Sequence, residues 1–230
     1  MYKNSKTAVI ICAGGIGERM DAGKPKQFIE IDGGSSIIRK SVDAFRSEEI
    51  RGLADVIVVT APAGFEKETG KLVNENATAE DGAFLKADII TGGRERQDSV
   101  RNALDYLDGL GLEDDDIVLI HDGARPYVTA ETIRKVTEKA FDEGAAIAAV
   151  PVKDTIRDKE SGTLDRSRLY SVQTPQGFRF RLIYDAVRKA CEDGFYGTDD
   201  GSLAERAGVM PVIVEGSYSN IKITTPEDLK

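Results

Sequence analysis

The chain has 230 residues, 40% of them hydrophobic, and a formal net charge of −9. That composition supports one sizeable α/β domain with its own core and argues against wholesale disorder. The acidic balance argues against non-specific nucleic-acid binding, so an anionic ligand must be drawn by local cations rather than by the global field.

Residues Ala8 to Ala13 form a short apolar run that reads as a buried strand. It opens into Gly14-Gly15-Ile16-Gly17, followed by the cations Arg19, Lys24 and Lys26. Glycines let the backbone approach a ligand, and successive N–H groups in such a loop form an anion-binding nest. Two better-known glycine loops fail on spacing. Gly23-Lys24 runs into Pro25 rather than Ser or Thr, and Met20 occupies the third glycine position of a dinucleotide fingerprint. A strand, a glycine loop and a cation cluster suit a polyphosphate; a plain turn after a core strand is the bland alternative.

Ser36 to Phe45 has one apolar helical face through Ile38, Val42 and Phe45. Strands follow at Asp55 to Ala61 and Ala87 to Thr91, with a helix between them from Phe65 to Asn74. A helix spans Arg96 to Leu107, and a strand from Asp116 to Ile120 ends in His121-Asp122-Gly123-Ala124-Arg125-Pro126. Thr129 caps a helix to Asp142, and Ala145 to Val150 is a fifth strand. Alternating strands and helices imply an α/β fold, Rossmann-like and doubly wound, with a mainly parallel sheet. Lys153 to Gln173 breaks that order with a polar turn at Lys159 to Gly162 and reads as a protruding β-arm. Helices return at Phe180 to Cys191 and after Thr198, then strands at Val209 to Val214 and Asn220 to Thr224. Thr225-Pro226-Glu227-Asp228 starts a helix that Lys230 cuts short or leaves out. The expectation is a single domain over residues 1–230.

Cys12 and Cys191 form no metal or disulfide pattern and fit a reducing cytoplasm. No signal-peptide pattern or membrane-length apolar run is read. His121 is the only histidine, and it reads as a supporting rather than a catalytic residue. Ligands of open α/β sheets bind beyond the carboxyl ends of the strands. Three segments fall there: the Gly14–Gly17 loop, Thr91-Gly92-Gly93-Arg94, and His121 to Arg125. Taken singly, each also fits an ordinary turn or surface ion pair, and Ser99 fits an N-terminal helix serine.

The pieces AGGIGERM with PKQ, GGRERQDSV, HDGARP, VKDTI, DR before QTPQGF, TDDGSLAE and NIKITTPEDL run through nearly the whole chain. Together they resemble the 2-C-methyl-D-erythritol 4-phosphate cytidylyltransferases of non-mevalonate isoprenoid synthesis. Ribitol-5-phosphate cytidylyltransferases, which make CDP-ribitol, share most of these pieces. A non-catalytic nucleotide-binding protein with the same fold is the alternative of another class; three cations converging on one phosphate argue against it. The resemblance implies CTP, a sugar-alcohol phosphate acceptor and Mg²⁺. It implies Arg19, Lys26 and Lys222 as the catalytic cations. It places Ala13, Gly14, Gly15, Gly17, Gly93, Arg94, Ser99, Gly123 and Arg125 around CTP. Arg94 stands where the family often has an acidic residue, and Gly123 where many members have Ala. Asp122, Thr155, Arg166, Thr174 and Thr198 match acceptor-binding positions, with Asp122 also near the metal, which the triphosphate would mainly hold. The arm about residues 153–173 would cross to a second subunit, implying a homodimer with shared active sites.

Overall fold

The computed structural model describes residues 5–15, 25–31, 33–75 and 85–229. Its elements in chain order are β1 (Thr7–Cys12), β2 (Glu30–Ile31), β3 (Ser35–Ser36), α1 (Ile37–Ala44), β4 (Val56–Ala61) and α2 (Glu66–Asn74). Then come β5 (Ala87–Thr91), α3 (Arg96–Gly109), β6 (Ile117–Asp122), α4 (Ala130–Glu143) and β7 (Ala145–Pro151). The chain closes with β8 (Arg157–Asp158), β9 (Gly162–Thr163), β10 (Tyr170–Arg179), α5 (Phe180–Glu192), α6 (Asp200–Arg206) and β11 (Val212–Glu215).

Among the described residues the main sheet has seven strands in the order β11-β7-β10-β6-β1-β4-β5. All neighbouring pairs are parallel except those of β10, which runs antiparallel to both β6 and β7. The apolar runs alternate faces with the two-residue strand period. Val9 and Ile11 pack with Ile38 and Val42 of α1, Val73 of α2 and Ile133 and Val136 of α4. Ala8 and Ile10 face the other way, onto Val100 and Leu104 of α3, Ile183 and Val187 of α5 and Leu203 of α6. Both faces are thus covered, which is why the central strands are apolar throughout. The expected doubly wound α/β fold is observed.

Three expectations need correction, and a fourth is sharpened. β10 lies where the sequence reading has the end of the arm and then no element before Phe180. Its Pro175 and Gly177 mask the strand pattern, and the register shifts between Val172 and Gln176, so the proline sits in an irregularity of the ladder. β11 begins at Val212 rather than at residue 209; Pro211 before it has no N–H to give a ladder. Residues 220–224 form no strand. They run beside the β6 loop, joined to it by the Ile223 N–H to Ala124 O bond of 2.9 Å. The helix start at Thr225, expected to be cut short or absent, is a single 3-10 turn, Pro226–Leu229, with Asp228 accepting from the Thr224 and Thr225 N–H groups.

The arm is a hairpin as expected, β8 pairing with β9, and its residues 153–161 are exposed. No helix among the described residues is long and apolar enough to cross a membrane.

Candidate active site

The chain runs from β1 outward to β4 and β5, then crosses to β6 on the other side of β1. The switch point therefore lies between β1 and β6, where Cys12 and Asp122 are register partners at the strand ends. An open cavity of about 270 Å³ sits there, lined by Cys12, Gly14, Gly15, Lys26, Gln27, Gly93, Arg94, Glu95, Arg96, Ser99, Asp122, Ala124 and Lys222.

The glycine loops after β1 and β5 touch backbone to backbone. A Cβ on Gly92 would stand 2.9 Å from Gly14 Cα, and one on Gly93 2.2 Å from Asp98 Cβ. Only glycine lets the two loops and the start of α3 pack this closely. Glu95 and Asp98 form a reciprocal capping box at that start. Ser99 is buried, with its hydroxyl accepting from Gly93 N–H at 2.9 Å and donating to Glu95 O at 3.2 Å. Gln27 holds the β1 loop, its amide donating to Ala13 O at 2.6 Å and Gly15 O at 2.9 Å.

Two lysines from distant segments meet at the cavity. Lys26 donates to the Ile223 carbonyl at 2.8 Å, and Lys222 pairs with Asp122 Oδ2 at 2.8 Å. Asp122 is the hub. Arg96 Nε donates to its Oδ1 at 3.0 Å, and Arg125 Nε stands 3.6 Å from Oδ2. Burial alone would push this carboxyl up; the Arg96, Lys222 and Arg125 cations overcome it and hold Asp122 well below the usual carboxylate range. Arg96 also grips Asp200, the first residue of α6, through two bonds of 3.0 and 2.7 Å. Burial would pull the guanidinium down, but the Asp200 and Asp122 charges carry it well above its ordinary value. Burial pushes the Cys12 thiol up to about 12, so it stays protonated at the cavity floor.

Beneath this cluster a hydrogen-bond chain fixes His121. Asp122 N–H donates to Thr174 Oγ1 at 3.0 Å, which leaves the Thr174 proton for His121 Nδ1 at 3.1 Å. Nε2 then carries the ring proton and gives it to the Arg125 carbonyl at 3.1 Å. A neutral imidazole satisfied at both nitrogens supports the loop and has no proton to exchange with a substrate.

A second cavity of about 450 Å³ lies on the β10 and α6 side, lined among others by Arg125, Gln173, Thr174, Gln176, Thr198 and Ser202. It shares Arg96, Asp122 and Lys222 with the first. These three residues form a charged wall between two compartments.

The sequence expectations divide accordingly. Lys26, Lys222, Gly14, Gly15, Gly93, Arg94 and Ser99 come together at the first cavity. Asp122, Thr174 and Thr198 line the second, and so does Arg125, which the sequence reading puts with the nucleotide. Gly17 and Arg19 lie outside the described residues. Ala13 does not line the cavity: its N–H goes to Thr60 and its carbonyl to Gln27. Gly123 does not line it either. A Cβ there would point inward, 2.9 Å from Ile38 Cδ1 and 3.1 Å from Ala13 Cβ, so its smallness serves packing rather than nucleotide approach. Ala124 lines the cavity instead.

Thr155 and Arg166 are exposed on the arm and line neither cavity; the Arg166 guanidinium donates to the Lys153 carbonyl. Asp122 Oδ1 accepts from Arg96 and Oδ2 pairs with Lys222, so a metal ion there would share the carboxylate with two cations. No group of three acidic, histidine or cysteine side chains among the described residues would hold a metal. Sequence reasoning missed Asp200 and gave Arg96 no role. Both stand in quoted motifs, but nothing in a separation of 104 residues signals that they meet.

The family profile described as IspD, 2-C-methyl-D-erythritol 4-phosphate cytidylyltransferase, matches residues 7–230. A protein of that name from Syntrophus aciditrophicus is 41% identical over 229 residues, covering 97% of this chain and 93% of its own. One from Bacillus cereus is 45% identical over 226 residues, with 96% and 93% covered. Among solved structures, the 2-C-methyl-D-erythritol 4-phosphate cytidylyltransferase of Thermus thermophilus superimposes with a TM-score of 0.75 at 32% identity, covering 97% of this chain and 95% of that one. The 4-diphosphocytidyl-2C-methyl-D-erythritol synthase of Anaerococcus prevotii gives 0.80 at 29% identity, with 98% and 93% covered.

Proposed function

The chain belongs to the 2-C-methyl-D-erythritol 4-phosphate cytidylyltransferase family, and we propose that its two substrates meet at the wall of Arg96, Asp122 and Lys222. It is a cytidylyltransferase: it transfers the cytidylyl group of CTP to 2-C-methyl-D-erythritol 4-phosphate and releases pyrophosphate. The curated relatives carry this activity in their names, and the ribitol phosphate alternative is not favoured.

CTP takes the first cavity. Its triphosphate lies over the Gly14-Gly15 backbone near Lys26, with Arg19 as an expected further cation. The base sits at Gly93 and Ser99. The Ser99 proton is committed to Glu95, and the Gly93 N–H to Ser99. What remains is one lone pair on Ser99 and the Gly93 carbonyl, both acceptors. They match the exocyclic amine of cytosine and oppose the carbonyl of uracil.

The acceptor takes the second cavity, beside Arg125, Thr174 and Thr198. One of its phosphate oxygens attacks the α-phosphorus; a P–O bond forms there, the α–β bridging bond breaks, and pyrophosphate leaves. The attacking phosphate is already anionic, so no base is needed, in keeping with a neutral and fully committed His121. Lys222 and Lys26 are donors for charge that grows on the transferring group. Mg²⁺ is read as arriving mainly on the triphosphate oxygens, since the Asp122 charge is already matched by Arg96 and Lys222.

The arm, with Thr155, Arg166 and the exposed Ile156 and Tyr170, is read as reaching a partner subunit in a homodimer. The two free cysteines fit a reducing cytoplasm. The observation that carries the reading is the pair of cavities joined at one cationic wall. Its test is phosphorus NMR of the purified chain with CTP and each acceptor. Pyrophosphate and a CDP-alcohol should form with methylerythritol phosphate. Formation with ribitol 5-phosphate alone would overturn the acceptor, and formation with neither would leave only nucleotide binding.

A further inference from the structure

Asp200 is 1% exposed at the first turn of α6, yet it is a carboxylate. Burying it is costly unless its charge is matched. The match is Arg96, which grips both carboxylate oxygens with its terminal nitrogens while Nε donates to Asp122. Three of the five guanidinium N–H groups are thereby fixed, on elements that the topology brings together from three parts of the chain. The other two have no partner among the described residues. The Arg96 side chain is 31% exposed and borders both cavities.

A planar group pinned at three points cannot swing with a bound ligand. Its charge is also largely cancelled by the two carboxylates it holds, so it adds little attraction for a resting triphosphate. Its two remaining N–H groups are different: they are directional and already oriented, and they count most when charge builds on a phosphoryl group beside them.

Resting on the cytidylyl-transfer reading, we propose that Arg96 is a further catalytic residue, donating to the phosphoryl group as it passes between the cavities, and that Asp200 is the positioning residue that holds it there. Stability of α6 does not require this arrangement. The helix is capped by Asp199, which accepts from Ser202 N–H at 2.9 Å, not by Asp200.

The experiment compares wild type, Asp200→Asn, Arg96→Lys and the double variant by steady-state pyrophosphate release, with CTP affinity from calorimetry and folded fraction from circular dichroism. Asp200→Asn keeps the volume and removes the charge. Its kcat per folded enzyme should fall by about 10- to 100-fold, the usual effect of losing an orienting partner, with KM and Kd for CTP changed less than about threefold. Arg96→Lys keeps the charge but not the fork, and should lose at least as much. Because Asp200 acts through Arg96, the double variant should be no worse than Arg96→Lys alone. A kcat within about twofold of wild type in Asp200→Asn, or losses that multiply in the double variant, would overturn the proposal. If Asp200→Asn does not fold, Arg96→Lys decides alone: near-normal kcat overturns it and a kcat loss at constant CTP affinity supports it. An inactive wild type would instead overturn the functional reading, and this proposal with it.

Discussion

His121 gives the site a pH dependence of stability that can be worked out in advance. The ring is fully buried, lies edge-on to Phe45 at 5.0 Å, and is hydrogen-bonded at both nitrogens in its neutral form. Burial lowers its pKa from 6.5 to about 4, against the smaller upward pull of the Arg125 carbonyl and Asp122. The unfolded chain therefore binds a proton on this residue in a range where the folded chain does not. Stability is fully present above the unfolded pKa and is lost as pH falls below it, until the folded pKa is reached near 4. The whole loss is about 3 kcal/mol, and about 1 kcal/mol of it falls between about pH 7 and about pH 5.5. The chain has one histidine, and comparison with His121→Gln isolates its share of the slope. Urea unfolding at the two pH values, at fixed ionic strength, measures it. His121→Gln should be less stable than wild type at pH 7 but should show little change between the two. An equal slope in both proteins, or a wild type that gains stability on acidification, would refute the assignment of a buried neutral ring.

Lys26→Ala should lower turnover on the order of 100- to 1,000-fold, the cost of one lost transition-state donor, while CTP binding measured by calorimetry weakens far less. CTP should be preferred to UTP by about a hundredfold or more in kcat/KM, because uracil leaves the Ser99 and Gly93 acceptors unpaired; comparable efficiency would remove the base assignment. If the arm serves the neighbouring subunit, Lys26→Ala and Arg166→Ala homodimers should each be nearly inactive. Refolded together they should recover roughly a quarter of wild-type activity, from the one intact site of the heterodimers that random mixing makes about half of all dimers. Heterodimers without activity would place Arg166 in its own chain's site or in none.

The elements that were legible in the sequence are those whose pattern is local. β1, β4, β5, β6 and β7 are apolar because both sheet faces are covered, and α3, α4 and α5 carry a helical stripe of Val, Ile and Leu. The Gly14-Gly15 loop and Lys26 are legible from a local pattern, whereas Gly93, Ser99 and Lys222 come to the site only through the resemblance of the motifs that hold them; all of them line the first cavity. β10 was not. Its neighbours β6 and β7 make it a strand, and Pro175 and Gly177 read locally as loop. Gly123 was given the wrong partner because the direction of a Cβ is a property of the packed β1–β6 junction, not of the motif. Asp200 was invisible as a site residue because its grip on Arg96 exists only once α6 folds back over the switch point.

The central claim is that transfer occurs at the wall shared by the two cavities. Lys222 is the lysine common to both, and its ammonium sits 2.8 Å from Asp122. The most direct measurement is the single-turnover rate of pyrophosphate release for Lys222→Ala, with saturating CTP and 2-C-methyl-D-erythritol 4-phosphate. The rate should fall by about a hundredfold or more, with both substrates still bound. A near-normal single-turnover rate would contradict the account, because the phosphoryl group would then pass somewhere other than the wall that Lys222 forms.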